Sequence, residues 1–380
     1  MIKINVARVY TPLRVFDKSS ILVDKGIVVG IKPHWFSEGE VYDFKESIAV
    51  PGFVDTHIHG HGGFDVNKGS EQELVNLAKY LAKKGVTSFV PTTVSLKHEY
   101  LSKVASLVGE LDVERITMEG GSRVLGAHLE GPYINIEMRG AQNPDAIRRA
   151  DLGEIEEYLR LSRGRIRIIT LAPEIEGALE AISYLVKKRV IVSIGHSNAT
   201  YDIAKKAFEA GASRVTHVFN AMRRFHHRDP GIVGAAIEDE SVYVEFIPDL
   251  IHLAEPVVKL VIKLFGERSV AITDAISATG LPDGEYDLGG LRIYVSKGVA
   301  RLGDGTLAGS TLTMINALRN LHLIGLSLEK ALAHVTLYPA RSLNLSDIGC
   351  LRPGCRADIV LLSNDLEIEK VFIEGNEVDE

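Results

Sequence analysis

Residues 190–220 read VIVSIGHSNATYDIAKKAFEAGASRVTHVFN. An apolar, β-branched run (190–197) gives way to a helical pattern (200–210) and then to a second apolar run (214–220). Strand, helix and strand in that order imply a parallel pair joined by a crossover. Each run carries a histidine near its end, His196 and His217. The same alternation recurs outward in both directions. FVDTHIH (53–59), VTSFVPTT (86–93), RVLGAHLE (123–130), RIRIITLAP (165–173), VYVEFIPD (242–249) and SVAITDA (269–275) bring the runs to eight. Between the first two lies SEQELVNLAKYLAKKG (70–85), where Ser70 and Glu73 form a capping-box pattern. Its Leu74, Leu77, Ala78 and Leu81 share one face and Gly85 can end the helix. Helical patterns also span 177–188 and 255–265. Eight strands in about 225 residues, alternating with helices, predict an α/β fold closed into a (β/α)8 TIM-like barrel.

The ends read differently. Residues 1–50 and 346–380 alternate short strands with turns, as β-meanders do, and are expected to pair into one small flanking β-sandwich domain. That leaves 51–345 for the barrel, with an inserted hairpin at 284–310 that carries a Gly-rich loop.

With 46% apolar residues the 380-residue chain has material for a full core, which excludes a disordered class. The net charge is −7, with no basic run, which argues against nucleic acid as a partner. Charges or glycines break every apolar stretch before the roughly 18 residues a membrane span needs. MIKINVARVY lacks the pattern of a secretory signal, so a soluble, cytoplasmic protein is expected. Cys350 and Cys355 do not have CxxC spacing and are expected to be thiols without chemistry.

His57 and His59 lie two residues apart on a strand, so their side chains share a face at about 6.6 Å and can converge on one ion. The plainer reading is two unrelated histidines, one of them exposed. His61 has already passed into the following loop. Glu130, His196, His217 and Asp274 fall late in four other runs. Metal-competent side chains thus terminate five of the eight strands, at the end of a barrel where active sites form. One such residue alone would read as a satisfied buried polar group, but five separate strands sharing the pattern favour a divalent metal site. Histidine and carboxylate ligands suit zinc first, with iron, cobalt or manganese also accepted. A bound metal acidifies a coordinated water and polarises a carbonyl. Asp274 is then the natural general base and acid, the competing reading being a further ligand.

These residues resemble the pattern of the amidohydrolase superfamily. LGAHLEGPYIN, GAQNP, SIGHSNAT, VTHVFNAM, RDPGIVGA, TDAISATG and LAGSTLTM resemble its N-acetylglucosamine-6-phosphate deacetylase family, over nearly the whole chain. The resemblance implies that Glu130, His196 and His217 hold the principal metal and His57 and His59 a second, so one or two ions per subunit. Sister families bridge two metals with a carboxylated lysine on strand four; RIRIITLAP has none, and Glu130 is implied as the bridge. The implied substrate contacts are Ala141, Gln142, Asn220, Ala221, Arg228, Asp249 to His252, and Leu307, Ala308 and Gly309. Some members have histidine at the position of Gln142; glutamine hydrogen-bonds but carries no positive charge. Arg228 and His252 are the implied phosphate ligands. His128 reads as a support for Glu130, and His226 and His227 have no assigned role. The implied activity is deacetylation of N-acetylglucosamine 6-phosphate, an amino-sugar phosphate, by a homodimer whose phosphate contacts can cross between subunits. The alternatives are an amidohydrolase for another N-acyl or cyclic amide, and a non-catalytic sugar-phosphate sensor.

Overall fold

The computed structural model describes residues 1–379. Eight strands, Phe53–Ile58, Val86–Thr93, Ala127–Glu130, Ile166–Leu171, Ile191–Ile194, Arg214–Val215, Tyr243–Phe246 and Ser269–Ala271, follow one another in space in chain order. All neighbouring pairs are parallel. A short segment, Arg123–Val124, extends strand three along strand two. After each strand comes a helix, the principal ones being Glu71–Lys83, His98–Glu110, Leu152–Leu161, Ala178–Lys187, Tyr201–Glu209, Gly231–Glu238, Glu255–Phe265 and Met314–Leu323. Strands covered on both faces have no solvent side, and every residue of Val86–Thr93 is accordingly buried. The seam between strands one and eight closes just past the last ladder residues. There His59 N donates to Ala275 O (2.8 Å) and Asp274 N to His57 O (3.0 Å).

Helix starts follow local chemistry. Thr200 caps Tyr201–Glu209, its hydroxyl accepting from Ile203 N. At Ser70 the expected capping box does not form, because Ser70 makes no side-chain cap bond. Glu73 instead turns to the preceding loop, accepting from Asp65 N (3.1 Å) and meeting Lys68 Nζ (3.1 Å). Gly85 takes a left-handed φ of +78°, which lets the chain reverse into strand two.

The two chain ends build a seven-stranded sheet together. Ile359–Leu362 runs antiparallel to Glu40–Pro51, joining the C-terminal strands Ile368–Ile373 and Asn376–Glu377 to the N-terminal ones. Glu40–Pro51 returns to lie parallel to Ile2–Thr11, so the N-terminal part is not a simple meander. Ile4, Val6, Ile21, Leu361 and Phe372 form an apolar cluster of its own beside the barrel core. After strand eight, Gly284–Leu288, Leu291–Ser296 and Val299–Arg301 form a small antiparallel sheet whose return loop comes back over the barrel mouth. Ser310 N there donates to Asp274 O (2.7 Å). The two cysteines are paired, not free as the sequence suggests: Cys350–Cys355 is a disulfide closing the LRPG turn, with Cα atoms 6.3 Å apart. Among the described residues no helix is long and apolar enough to cross a membrane.

Arg123 links the two bodies. Its guanidinium reaches from barrel strand three to Asp358 (2.8 Å) and Glu374 (2.7 Å) of the terminal sheet, and Asp358 is buried. Removing one partner of such a buried pair strands the other charge. Arg123→Met is expected to lower stability by about 3 kcal/mol in chemical denaturation; a change too small to resolve would show that the two bodies do not depend on this bridge.

Candidate metal centre

Strand ends set the geometry of the centre. His57 lies within strand one, His59 one residue past it, and Glu130 is the last residue of strand three. The ladders of strands five, six and eight stop earlier than the apolar runs suggest, at Ile194, Val215 and Ala271. His196, His217 and Asp274 therefore stand just beyond them, each with a left-handed backbone (φ 48°, 28° and 50°). Such a conformation costs a non-glycine residue on the order of 1–3 kcal/mol and turns these side chains inward.

The inward turn brings six side chains together. Glu130 Oε1 lies 3.2 Å from His196 Nε2, 3.0 Å from His217 Nε2 and 3.5 Å from His57 Nε2. Glu130 Oε2 lies 3.4 Å from His59 Nε2. Asp274 Oδ1 is 3.0 Å from His59 Nε2 and 3.4 Å from His57 Nε2. All six residues are buried.

The outer ring nitrogens show what belongs at the middle. His59 Nδ1 faces Thr92 O (3.1 Å) and His196 Nδ1 faces Met138 O (2.9 Å). A carbonyl oxygen only accepts, so both Nδ1 atoms carry the hydrogen. His57 Nδ1 likewise meets the Glu245 carboxylate at 2.9 Å. Each neutral ring then aims an Nε2 lone pair at carboxylate oxygens, which carry lone pairs of their own. His57 Nε2 has no hydrogen-bond partner, and His196 and His217 approach Nε2 to Nε2 at 3.1 Å. Only positive charge between the groups relieves this arrangement. Burial opposes charge on the imidazoles, yet Glu245, Glu130 and Asp274 outweigh it and raise His57 well above the usual histidine range. The same contest, against Asp274 and Glu130, lifts His59 to about 9. Burial also opposes ionisation of Glu130, but His57 and His196 hold it well below the usual carboxylate range. Two triads, His57/His59/Glu130 and Glu130/His196/His217, have ligand atoms mutually within 4.8 Å. Nitrogen and oxygen donors at this spacing fit divalent cations sharing Glu130.

The support beneath is one the sequence reading missed. Glu245, buried on strand seven, accepts from Arg214 Nε (2.7 Å) besides meeting His57. Arg214 is itself fully buried, its Nη1 donating to Ser342 Oγ (2.7 Å). A lone acid inside the apolar run VYVEF was the available signal. His128 is neutral, its pKa pushed well down by burial and by His57; it bonds Thr170 (2.7 Å) and its ring packs against His57. His61 is buried against Tyr80, apart from both triads.

A cavity of about 210 Å3 opens onto the centre. Gln142, Ala141, Asn220, Ala221, Leu307 and Gly309 line it, together with His252 and the ligand side chains. An adjoining cavity of similar volume is lined by Asp249, His252, Asn316 and Asn320. Asp249 holds its own loop, accepting from Ile251 N and His252 N (2.8 Å each) and from His252 Nδ1 (2.6 Å). Three of the expected contacts, Leu250, Ala308 and Arg228, line neither cavity. Ala308 is fully buried with its N–H bonded to Ala300 O (3.1 Å). Arg228 sits on the exposed His226–Asp229 turn, its Nη1 2.7 Å from His227 Nε2.

A model of the amidohydrolase family matches residues 48–378. The chain belongs to this family. Among amidohydrolases it is 37% identical to an N-acetylgalactosamine-6-phosphate deacetylase of Escherichia coli O157:H7, over 94% of each chain. It is also 37% identical to an N-acetylglucosamine-6-phosphate deacetylase of Vibrio furnissii, over 86% of this chain and 82% of that one. A mutant N-acetyl-D-glucosamine-6-phosphate deacetylase of Mycobacterium smegmatis, solved in complex with N-acetyl-D-glucosamine-6-phosphate, superposes with a TM-score of 0.92 at 34% identity, covering 100% and 99% of the two chains. Amidohydrolases depend on divalent metals, and the donor set here is one that could hold them.

Dialysis against a chelator should lower the thermal midpoint of this amidohydrolase and zinc should restore it. A cation at about 100 times its Kd adds roughly 2.7 kcal/mol. An unchanged midpoint, with metal loss verified by elemental analysis, would remove the cation from the account of this site.

Proposed function

We propose that this enzyme hydrolyses the acetamide of N-acetylglucosamine 6-phosphate to glucosamine 6-phosphate and acetate, in amino-sugar catabolism. The observation that carries the reading is the coincidence of the buried Glu130-centred ligand set with Asp274 at the floor of the cavity. Relatives across bacteria and animals bear this activity's name. One or two divalent cations, zinc by preference, would be held by Glu130, His196 and His217 and by His57 and His59. A cation bound there supplies a water that ionises near neutrality and a positive charge for the carbonyl oxygen.

Asp274 moves the proton. Burial works against its ionisation, but positive charge on the His57 and His59 side outweighs it and keeps its pKa below the usual carboxylate value, so it is ionised at neutral pH and open to accept a proton. It takes the proton of the attacking water as the new C–O bond forms. It returns that proton to the nitrogen as the C–N bond breaks, and the water's second hydrogen, left on the new carboxyl group, passes to the amine, so that acetate and an ammonium product leave. Gln142 and Asn220 stand at the cavity wall as hydrogen-bonding groups for the sugar. His252, oriented by Asp249, is the phosphate ligand on this chain. Arg228 is too exposed to serve its own cavity, and we assign it to the cavity of a second copy in a homodimer. A phosphorylated sugar does not cross a membrane unaided, which suits a cytoplasmic enzyme.

Acetate release should be measured from N-acetylglucosamine 6-phosphate, its galactosamine epimer and unphosphorylated N-acetylglucosamine side by side. The glucosamine phosphate should be turned over fastest and the unphosphorylated sugar at least tenfold more slowly. Equal rates with and without phosphate would sink the phosphate assignment, and preference for the epimer would move the enzyme to the activity of the Escherichia coli relative. Asp274→Asn should lose about 10²–10⁴-fold in kcat while keeping its metal; retained turnover would put the base elsewhere.

A further inference from the structure

We infer that Gln142 is a positioning residue for the metal centre, fixing the rotation of the Glu130 carboxylate, in addition to any contact it makes with the sugar. The inference rests on the metal-centre reading above. Gln142 is buried and both ends of its amide are engaged. Its Oε1 accepts from Ser95 N (2.5 Å) and its Nε2 donates to Glu130 Oε2 (2.6 Å). The Ser95 N–H requires an acceptor, so the amide cannot flip without placing two donors face to face. Its N–H therefore always meets Glu130.

What the bond does follows from the geometry of Glu130. The last torsion of a glutamate is broad, so a carboxylate held only by its ligands can swing. Holding Oε2 on the His59 side leaves Oε1 within 3.2 Å of both His196 and His217. One donor occupies one lone pair of Oε2 and leaves the other for a cation beside His59. An amide is also neutral at every working pH, so it orients the carboxylate without competing with a cation for the site.

The loop carrying Gln142 has the anchoring that such a role needs. Met138 on the same loop supplies the carbonyl that fixes His196. Asn135 N, earlier in the loop, donates to His196 O (2.9 Å). Arg148 at the end of the loop donates to Leu96 O (3.1 Å), one residue after Ser95, and to Ala146 O (2.7 Å). Glu154 holds the Arg148 Nε at 2.8 Å. One segment thus grips two ligands of the principal metal from outside the barrel.

The test is a metal titration of the full-length apo-protein. Gln142→Met keeps the volume and removes both hydrogen bonds; Gln142→His can accept from Ser95 and donate to Glu130 with its two ring nitrogens. For Gln142→Met, zinc affinity by competition with a chromophoric chelator should fall about 10–100-fold, the usual effect of losing a ligand's hydrogen-bond partner. The visible spectrum of the cobalt-loaded form should also change, while Gln142→His recovers both. In the acetate assay kcat should fall with KM changed less than roughly twofold, the signature of a lost transition-state interaction. Wild-type zinc affinity and cobalt spectrum in Gln142→Met, with KM raised and kcat kept, would overturn the inference and leave Gln142 a substrate contact. If Gln142→Met does not fold, Gln142→His with wild-type metal affinity supports the inference and weakened affinity overturns it. The titration needs no substrate, so its outcome is independent of whether the deacetylase reading stands.

Discussion

The carboxylate of Glu130 is the point on which the structure turns. A buried carboxylate with imidazoles aimed at both oxygens is a costly object without positive charge beside it. The barrel is organised to make it tolerable. Arg214 and Glu245 form a charge pair beneath it. Around that pair the interior is polar, with Thr170, Ser193 and Thr216 hydroxyls bonded in a chain and His128 joined to Thr170. The layer nearest the site is therefore polar and in large part hydrogen-bonded, whereas the outer layer between strands and helices is apolar. A divalent cation supplies what this polar layer lacks.

Backbone conformation is the second device. Three of the inward-facing residues hold left-handed backbones that their side chains disfavour. Each is tied down by a loop at the barrel mouth: Asn135 N bonds His196 O, Asn220 N bonds His217 O and Ser310 N bonds Asp274 O. The loops that line the cavity are thus the same loops that hold the ligands in strained positions. Loop, ligand and substrate wall form one mechanical unit, so a change in any of them reaches the others.

How much of this was legible in the sequence depends on the kind of signal. Strands two and seven announce themselves as short runs rich in β-branched and aromatic residues, and both are largely buried. The clustered histidines were legible for a related reason: a polar residue at the end of a buried run has few explanations. Glu245 escaped because it sits mid-strand, where a lone acid reads as a surface residue until Arg214 is known to face it. The capping box at Ser70 misled because Glu73 had two competing partners, neither adjacent in sequence to the cap. The Cys350–Cys355 pair was missed because a disulfide depends on the turn between the cysteines bringing their Cα atoms together, not on any motif. Arg228, assigned to the cavity by motif position alone, lies on an exposed turn, and nothing short of coordinates reveals that.

Asp274 illustrates how one arrangement can serve two functions. Its Oδ1 lies as close to His59 as Glu130 does to His217, so by distance alone it could be one more ligand. Its surroundings differ, however. Glu130 is anchored by Gln142 and clasped from both sides by imidazoles, and its side chain is 3% exposed. Asp274 has no such anchor among the described residues, its side chain is 10% exposed, and it lines the cavity where the amide must enter. A carboxylate kept ionised by neighbouring imidazoles but left open on one side can accept a proton from water and present it to the leaving nitrogen. Glu130 borders the same cavity, but its oxygens are already engaged by Gln142 and by imidazoles on both sides. The difference in anchoring between these two acids, both on strand ends of one barrel, is the ground for proposing Glu130 as a metal ligand and Asp274 as the acid–base group.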